Sequence, residues 1–264
     1  MKLPNFLKPK FKCDLIRLGK KNDGGYVIPK MSLKNSKLIL GFGLGEDWSF
    51  EEHFKKLSGA RVMCFDNSVN LRFWIIKFFK DIINLFLFKK KTYKDFTRFF
   101  TYIKYKFFFN GKSAIHKLKI IAPTNQNIYG LDKSRITDLN KILDESENCN
   151  FFLKVDIEQH EYRILDQIIK HQKRITGLAI EFHECDLHFE KIKNFVNLFE
   201  LQLVHIHVNN FGTINSLGNP TVLELTFSPK QYNFIREKDD DKFPVSDLDQ
   251  PNNDLEKDTS IVFE

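Results

Sequence analysis

The chain has 264 residues, 42% hydrophobic and 28% charged, with a formal net charge of +7, a length that suits one well-buried α/β domain with additions. Its four cysteines, Cys13, Cys64, Cys149 and Cys185, lack CxxC or Cys/His spacing, which argues against a zinc site or disulfide framework and fits a reduced, cytoplasmic compartment. The basic N-terminus has no apolar core of signal-peptide length, and no run of about 18 uncharged apolar residues predicts a spanning helix.

The first element with chemical content is the turn at Asp23, Gly24, Gly25 and Tyr26, which in its plainest reading is an Asp-Gly turn before a strand. From Leu38 the chain then runs LILGFGLGEDWSFEEHFKKLSGARVMCFD: a strand, a loop with Gly41, Gly43 and Gly45, a helix, a second strand, and Asp66 at its end. Glycines let a backbone approach a ligand closely, and a carboxylate about 20 residues on can accept from both ribose hydroxyls, so an adenosine-bearing ligand is expected. The spacing is GxGxG, whereas the dinucleotide fingerprint places its third glycine one residue later. Glu46 and Asp47 at the helix start would also repel a pyrophosphate. S-adenosylmethionine carries no phosphate and has a positive sulfonium and ammonium, so it is the cofactor these acids suit. Ordinary tight turns are the competing use of such glycines.

Between Leu71 and Asn110 ten lysines and arginines face two aspartates, so the charge surplus resides in this module and the rest is close to neutral. Aromatic and aliphatic residues recur there at helical spacing, which predicts two amphipathic helices joined near Lys91. Three roles are open for residues 71–110: a helical lid with solvated lysines, a peripheral contact with an anionic membrane, or a nucleic-acid surface. The last is disfavoured because the rings keep aliphatic company.

Strand and helix then alternate: KLKIIAP as a third strand, a helix from Arg135 to Glu145, the strand FFLKVD ending at Asp156, a helix from Glu158 to His171, the strand TGLAIEF, and a helix from Leu187 to Glu200. LQLVHIHV and TVLELTF close as an antiparallel pair, since so short a link cannot make a parallel crossover. The whole predicts an α/β, doubly wound, mostly parallel sheet with a terminal antiparallel hairpin and a helical insertion. Residues 1–264 form a single domain in this reading. The tail 229–264, with Asp239, Asp240, Asp241, Asp247, Asp249, Asp254 and Asp258, reads as acidic, solvated and partly flexible, with SIVF as a short last strand.

Strand ends gather Asp156, Glu158, His160 and Glu161; Glu181, His183 and Glu184; and His205, His207, Asn209 and Asn210, all expected on one cleft. Helix capping explains Glu158 and Glu161 equally well. Asp156 closes a buried apolar strand and needs a partner or ligand. His183, neutral at its reference pKa near 6.5, is a candidate general base oriented by Glu181 or Asp156. Alternatively, Asp156, Glu181 and one of His205 or His207 hold a divalent cation that acidifies a substrate hydroxyl.

RLGKKNDGGYVIP (17–29), LGFGLGEDWSFEEHF (40–54), FDNS (65–68), FLKVDIEQHEYRIL (152–165), LAIEFHE (178–184), HIHVNNFG and PTVLELTF together resemble the FkbM-type S-adenosylmethionine-dependent methyltransferases. The family usually has Gly where this chain has Gln159, and the basic insertion is outside the shared pattern. The resemblance implies a Rossmann-like class I methyltransferase fold and O-methylation, commonly of sugar or polyketide-like hydroxyls. It implies that Gly41, Gly43 and Gly45 line the methionine part of the cofactor, that Asp66 holds the ribose, that Asp23, Gly24, Gly25 and Tyr26 lie beside it, and that Asp156 faces the reacting centre. A glycan or small-molecule acceptor, for instance a surface-glycan or glycolipid precursor met at the inner face of the membrane, is the resulting expectation. Competing classes are a nucleic-acid methyltransferase using the basic insertion, although no Asp/Asn-Pro-Pro-aromatic motif follows the fourth strand, a non-catalytic interaction protein on the same frame, and an NAD dehydrogenase.

Overall fold

The computed structural model describes residues 1–86, 97–125, 130, 132–146, 149–235 and 242–264. β1 (Lys2–Leu3) and β2 (Phe11–Lys12) lead into a hairpin of β3 (Leu15–Gly19) and β4 (Gly25–Pro29), which turns near Asp23 as expected. After the short α1 (Lys30–Asn35), the strand β5 (Leu38–Phe42), helix α2 (Ser49–Ser58) and strand β6 (Arg61–Phe65) form the predicted run. α2 has Glu51 and Glu52 in its first turn, Lys55 and Lys56 in its last, and stops at Gly59 with φ +70°, each in keeping with the helix dipole and a left-handed cap. The basic segment forms α3 (Leu71–Phe86) and α4 (Thr97–Phe108). Their predicted joint near Lys91 lies outside the described residues.

The third strand is displaced from its expected place. β7 (Ala114–Lys117) joins the sheet, whereas β8 (Ile120–Ile121), within KLKIIAP, pairs aside with β9 (Ile136–Thr137). β9 also shortens the helix expected from Arg135, leaving α5 (Leu139–Asp144), whose start is set by the Asp138 carboxylate accepting from Lys141 N–H at 2.9 Å. Beyond β10 (Phe151–Val155), Glu158 and Gln159 adopt φ of +51° and +75°, so the helix expected from Glu158 is a 3-10 turn at His160–Arg163 followed by α6 (Leu165–Lys170). β11 (Ile175–His183), α7 (Phe189–Leu198), β12 (Gln202–Val208) and β13 (Val222–Ser228) fall close to their expected spans. β14 (Phe234–Ile235) pairs with β2, and β15 (Val262–Phe263) returns to β1.

Seven strands form one sheet in the order β7-β6-β5-β10-β11-β13-β12, parallel except for β13, which is antiparallel to both neighbours. Counted along the chain within this sheet the order is 3-2-1-4-5-7-6, the doubly wound Rossmann-like arrangement of the class I methyltransferase fold. The order reverses between β5 and β10, and the crevice outside the carboxyl ends of those strands is where such sheets bind ligands.

One face of the sheet is apolar throughout: Leu40, Phe42, Leu153, Val155, Ile180 and Phe182 join a core with Leu139, Ile142, Ile168, Ile192 and Phe195 of α5, α6 and α7. On the other face Ile39, Cys64 and Phe152 pack with Phe50 and Phe54 of α2, Trp74 of α3 and Tyr26 of β4. Strands covered on both faces carry near-continuous apolar runs for this reason.

Toward β12 the second face turns polar. Lys154, Glu181, Glu224 and His207 are all buried, one from each of four adjacent strands, with Glu224 in register with both Glu181 and His207. Buried charges need partners, and residues 249–258 supply those of Glu224 and His207, and of the neighbouring His205. Asn252 Nδ2 donates to Glu224 Oε1 at 2.8 Å, His205 Nε2 lies 3.1 Å from Asp249 Oδ2, and His207 Nε2 lies 3.0 Å from Asp258 Oδ1. The expectation of a solvated tail therefore fails at Asp249 and Asn252, which are buried, and holds at Asp247 and Asp254, which are exposed; Asp239, Asp240 and Asp241 lie outside the described residues. Burial would lower the His207 pKa, but the Asp258 and Glu224 carboxylates raise it to about 10. From an unfolded value near 6.5, that shift contributes stability present in full below about pH 6.5 and lost as pH climbs through the folded value. Replacing this buried partner, His207→Gln, should cost roughly 3 kcal/mol at neutral pH in chemical denaturation, and the wild-type advantage should shrink steadily from about pH 6.5 to about 10; a constant difference across that range would refute the pairing.

Candidate functional site

The carboxyl ends of β5 and β10 touch. Asp156 N–H donates to Phe42 O at 2.9 Å, and a Cβ added at Gly43 would lie 1.7 Å from Asp156 O. Only glycine fits there, and its φ of +80° is also one that other residues rarely adopt. Gly45 (φ +58°) turns the loop so that its amide and that of Leu44 donate to Asp66 Oδ2 at 3.0 and 2.9 Å. The Ser68 amide and hydroxyl donate to Asp66 Oδ1 at 2.7 and 2.6 Å. Burial works to raise the Asp66 carboxyl, yet these four bonds hold it below its ordinary value. Gly41 is inside β5, where an added Cβ would meet Glu51 Oε1 at 2.9 Å.

Two hollows share Gly43, Asp66, Ser68, Asp156 and Glu158 and so form one cleft at the switch point. One lobe, about 320 Å³, is walled by Phe65, Ile120, Ile121 and Ile157 with Asn67 and Lys119. The other, about 260 Å³, is walled by Asp23, Gly24, Tyr26, Glu46, Asp47, Glu51 and Lys154. An apolar lobe suits a flat heterocycle, and a lobe with seven carboxylates, counting the shared Asp66, Asp156 and Glu158, against one lysine suits a cation. The donor set fits the adenosine and the two positive groups of S-adenosylmethionine better than it fits a diphosphate. Two further hollows lie near the amino ends of β10, β11 and β12, away from the glycine loop.

Asp156 is held from one side. Tyr26 Oη donates to its Oδ2 at 2.9 Å and Lys154 Nζ approaches the same oxygen at 3.3 Å, while Lys154 also donates to Gly43 O at 3.0 Å. Burial opposes ionisation, but the Lys154 charge beside it keeps the Asp156 carboxyl below its usual range. Lys154 is raised in turn: burial would lower it, and Asp156 and Glu51 more than offset that. Glu51 is buried, with Oε1 lacking a hydrogen-bond partner, and burial pushes its carboxyl up to about 7. Sequence reasoning missed both residues; the signals were a lysine inside the apolar strand FFLKVD and an acid between Phe50 and Phe54 on the inner side of α2.

His183 is not a neutral base. Its Nδ1 lies 2.9 Å from Glu161 Oε1 and its Nε2 3.3 Å from Glu181 Oε1, with Glu158 Oε2 at 3.5 Å and Asp156 Oδ1 at 3.9 Å. Burial would lower its pKa, but the bonds to Glu161 and Glu181 raise it to about 11, so at neutral pH the ring holds its proton. The reference value takes no account of the acids that the strand ends place on the same cleft, whose distances from the ring only the fold fixes. Glu161 also accepts from Ile157 N–H at 3.1 Å, the capping role expected of it. Glu181 is buried and takes a bond from Asn209 Nδ2 at 3.2 Å; burial, with Asp156 nearby, pushes it up to about 8.

His205 and His207 are not on the cleft. They are 2% and 1% exposed beneath residues 249–258, because odd positions of β12 face the polar row rather than the strand ends. Asp156, Glu181 and either of them do not come together as a cation-holding group among the described residues. Among the described residues the set that could hold a metal is Asp156, Glu158 and His183, whose ligand atoms lie within 4.8 Å of one another. Of the loop 23–26, Asp23, Gly24 and Tyr26 line the cleft, whereas Gly25 packs inside the hairpin, where a Cβ would meet Lys20 O at 2.2 Å.

No protein-family model matches the chain, and no curated protein matches it either. Seven chains of solved structures do. One is precorrin-6y C5,15-methyltransferase from Geobacter metallireducens, 12% identical over 76% of this chain and 86% of that chain, with TM-score 0.32. Another is a Thermoplasma acidophilum protein described as a candidate methyltransferase, 6% identical over 75% of this chain and 70% of that one, also with TM-score 0.32. Both likenesses are distant, and nothing about this chain's chemistry is drawn from them.

Gln159 holds a left-handed φ at the position where the resembled family has Gly, with only an exposed bond to Glu184 in return. Gln159→Gly should stabilise the protein by roughly 1 kcal/mol, read as a higher denaturation midpoint; a drop would show that the Glu184 contact outweighs the backbone strain.

Proposed function

We propose that the protein is an S-adenosylmethionine-dependent O-methyltransferase acting on a sugar hydroxyl. The observation that carries the reading is the cleft at the switch point, where a glycine packed against Asp156 separates an apolar lobe from a lobe dominated by carboxylates. The motif resemblance to FkbM-type enzymes supports the finer assignment, a surface-glycan or glycolipid precursor as acceptor. A rim with Glu158, Gln159 and Glu184, able to hydrogen-bond several hydroxyls, suits it.

When bound, S-adenosylmethionine supplies an electrophilic methyl on a positive sulfur. The chain's own residues do the rest. Asp66 accepts from the ribose, exchanging one of its loop or Ser68 bonds, and the carboxylate lobe faces the ammonium and sulfonium. Asp156 has Oδ2 fixed by Tyr26 and Lys154, which leaves Oδ1 to orient the acceptor hydroxyl and to take its proton as the ether forms. His183, charged, fixes Glu181 and Glu161 behind Asp156 and is a positioning residue. Glu181 serves in the same way and does not touch the acceptor.

Asp66→Ala should weaken S-adenosylmethionine binding by about 1 to 3 kcal/mol in calorimetry. Asp156→Asn should lower methyl transfer to a glycan acceptor by roughly 100-fold or more while S-adenosylhomocysteine still binds. Failure of the wild-type protein to bind either cofactor form, with folding intact, would return it to the class of non-catalytic interaction proteins. A second reading, metal-assisted deprotonation, draws on the proximity of Asp156, Glu158 and His183, and requires the cation to displace the proton that His183 otherwise holds. Loss of transfer on chelation, restored by Mg²⁺ or Mn²⁺, selects that reading; transfer indifferent to chelator leaves the proton with Asp156 alone.

A further inference from the structure

Helix α3 is apolar on its outer side as well as on its inner one. Its protein-facing side carries Trp74, which is buried, and Lys77, paired with Glu46 of the glycine loop. Its outward arc carries Leu71, Ile75, Ile76, Phe78, Phe79 and Ile83, each 42% to 62% exposed. The inner side is already satisfied: Trp74 lies 5.3 Å from Tyr105 and 5.5 Å from Tyr102 of α4, and Tyr105 Oη lies 2.6 Å from His116 Nδ1 of β7. Anchoring therefore does not account for the outward arc. On α4, Phe100 and Phe107 are exposed at 60% and 75%, and Lys104 and Lys106 are exposed too, as are Arg72 and Lys80 on α3.

Charge and side-chain type select the occupant of this surface. A second copy would set one basic face against an identical one, since isologous contacts pair like with like. Single-stranded nucleic acid stacks on aromatic planes, yet four of the six outward residues of α3 are aliphatic. An anionic phospholipid surface matches both features, taking aliphatic and aromatic side chains into the acyl boundary and lysines among the headgroups. No helix of the described residues is long and apolar enough to cross a membrane, which agrees with a helix lying in the interface. At about 1.5 Å per residue, α3 offers a ridge of roughly 24 Å.

We propose that α3 and α4 seat the protein on an anionic phospholipid membrane, with the outward arc of α3 in the interface. The seating does not depend on the methyltransferase reading, although it would bring the cleft to lipid-linked acceptors if that reading holds. The first turn of α3 follows directly on the Asp66 and Ser68 loop, and the Lys77 to Glu46 pair ties the helix to the glycine loop.

The test is co-sedimentation of the full chain with phosphatidylcholine vesicles with and without phosphatidylglycerol, alongside the Ile75→Glu/Phe79→Glu variant. The expected result is binding that requires phosphatidylglycerol, weakens with salt, and falls roughly tenfold in the variant, while thermal midpoint and S-adenosylhomocysteine titration match the wild type. Wild-type binding indifferent to phosphatidylglycerol, or equal binding by the variant, overturns the proposal. So does a wild-type dimer in sedimentation that the variant converts to monomer. Lost cofactor binding in the wild type with vesicle binding intact would count against the methyltransferase reading alone.

Discussion

Everything at the site hangs on the approach of two strand ends. The Gly43 backbone lies where any side chain would strike the Asp156 carbonyl, and the Lys154 ammonium clasps both strand ends by binding Gly43 O and Asp156. The glycine loop and the acid are thus one rigid object, although 113 positions separate them in the chain. From it follow the shape of the cleft, the orientation of Asp156 and the place of Asp66, whose carboxylate collects the loop amides from the other side. Such prior ordering is what allows a site to orient reactants without reorganising.

The price of that clasp is a buried cation, and the fold surrounds it with acids in a graded way. Asp156 stays ionised beside Lys154, Glu51 and Glu181 are pushed up to about 7 and 8, and His183 and His207 are pushed up to about 11 and 10. Removing one member would leave others unpaired in a medium that solvates charge poorly, so the row acts as a unit.

Strand and helix were readable wherever periodicity was strong: β5, α2, β6, β10, β11 and the closing pair fall where apolar runs and glycines put them. The glycine loop, Asp66 and Asp156 were legible because turn geometry and strand termination leave local marks. What stayed hidden depends on partners distant in sequence. His183 looked neutral because the sequence, though it brings these acids to one cleft, gives no distances to the four carboxylates, three from the turn after β10 and one from β11. His205 and His207 looked like strand-end ligands, but alternation turns them onto a face that a later segment covers. That segment looked solvated because acids usually are, and its partners are histidines and asparagines some forty to fifty positions away. Lys154 escaped notice because a lysine inside a strand carries no motif.

The cover over the polar row follows all four of its strands in the chain. During synthesis Lys154, Glu181, Glu224 and His207 can come together as soon as β13 has emerged, yet Asp249, Asn252 and Asp258 arrive only afterwards. Until they do, His205 and His207 lack the Asp249 and Asp258 carboxylates that partner them. The same segment reaches the cleft as well: Gln250 and Pro251 accept bonds from Asn22, and Asn252 bonds Asp23, so the loop that walls the carboxylate lobe is braced by the last part of the chain to be made.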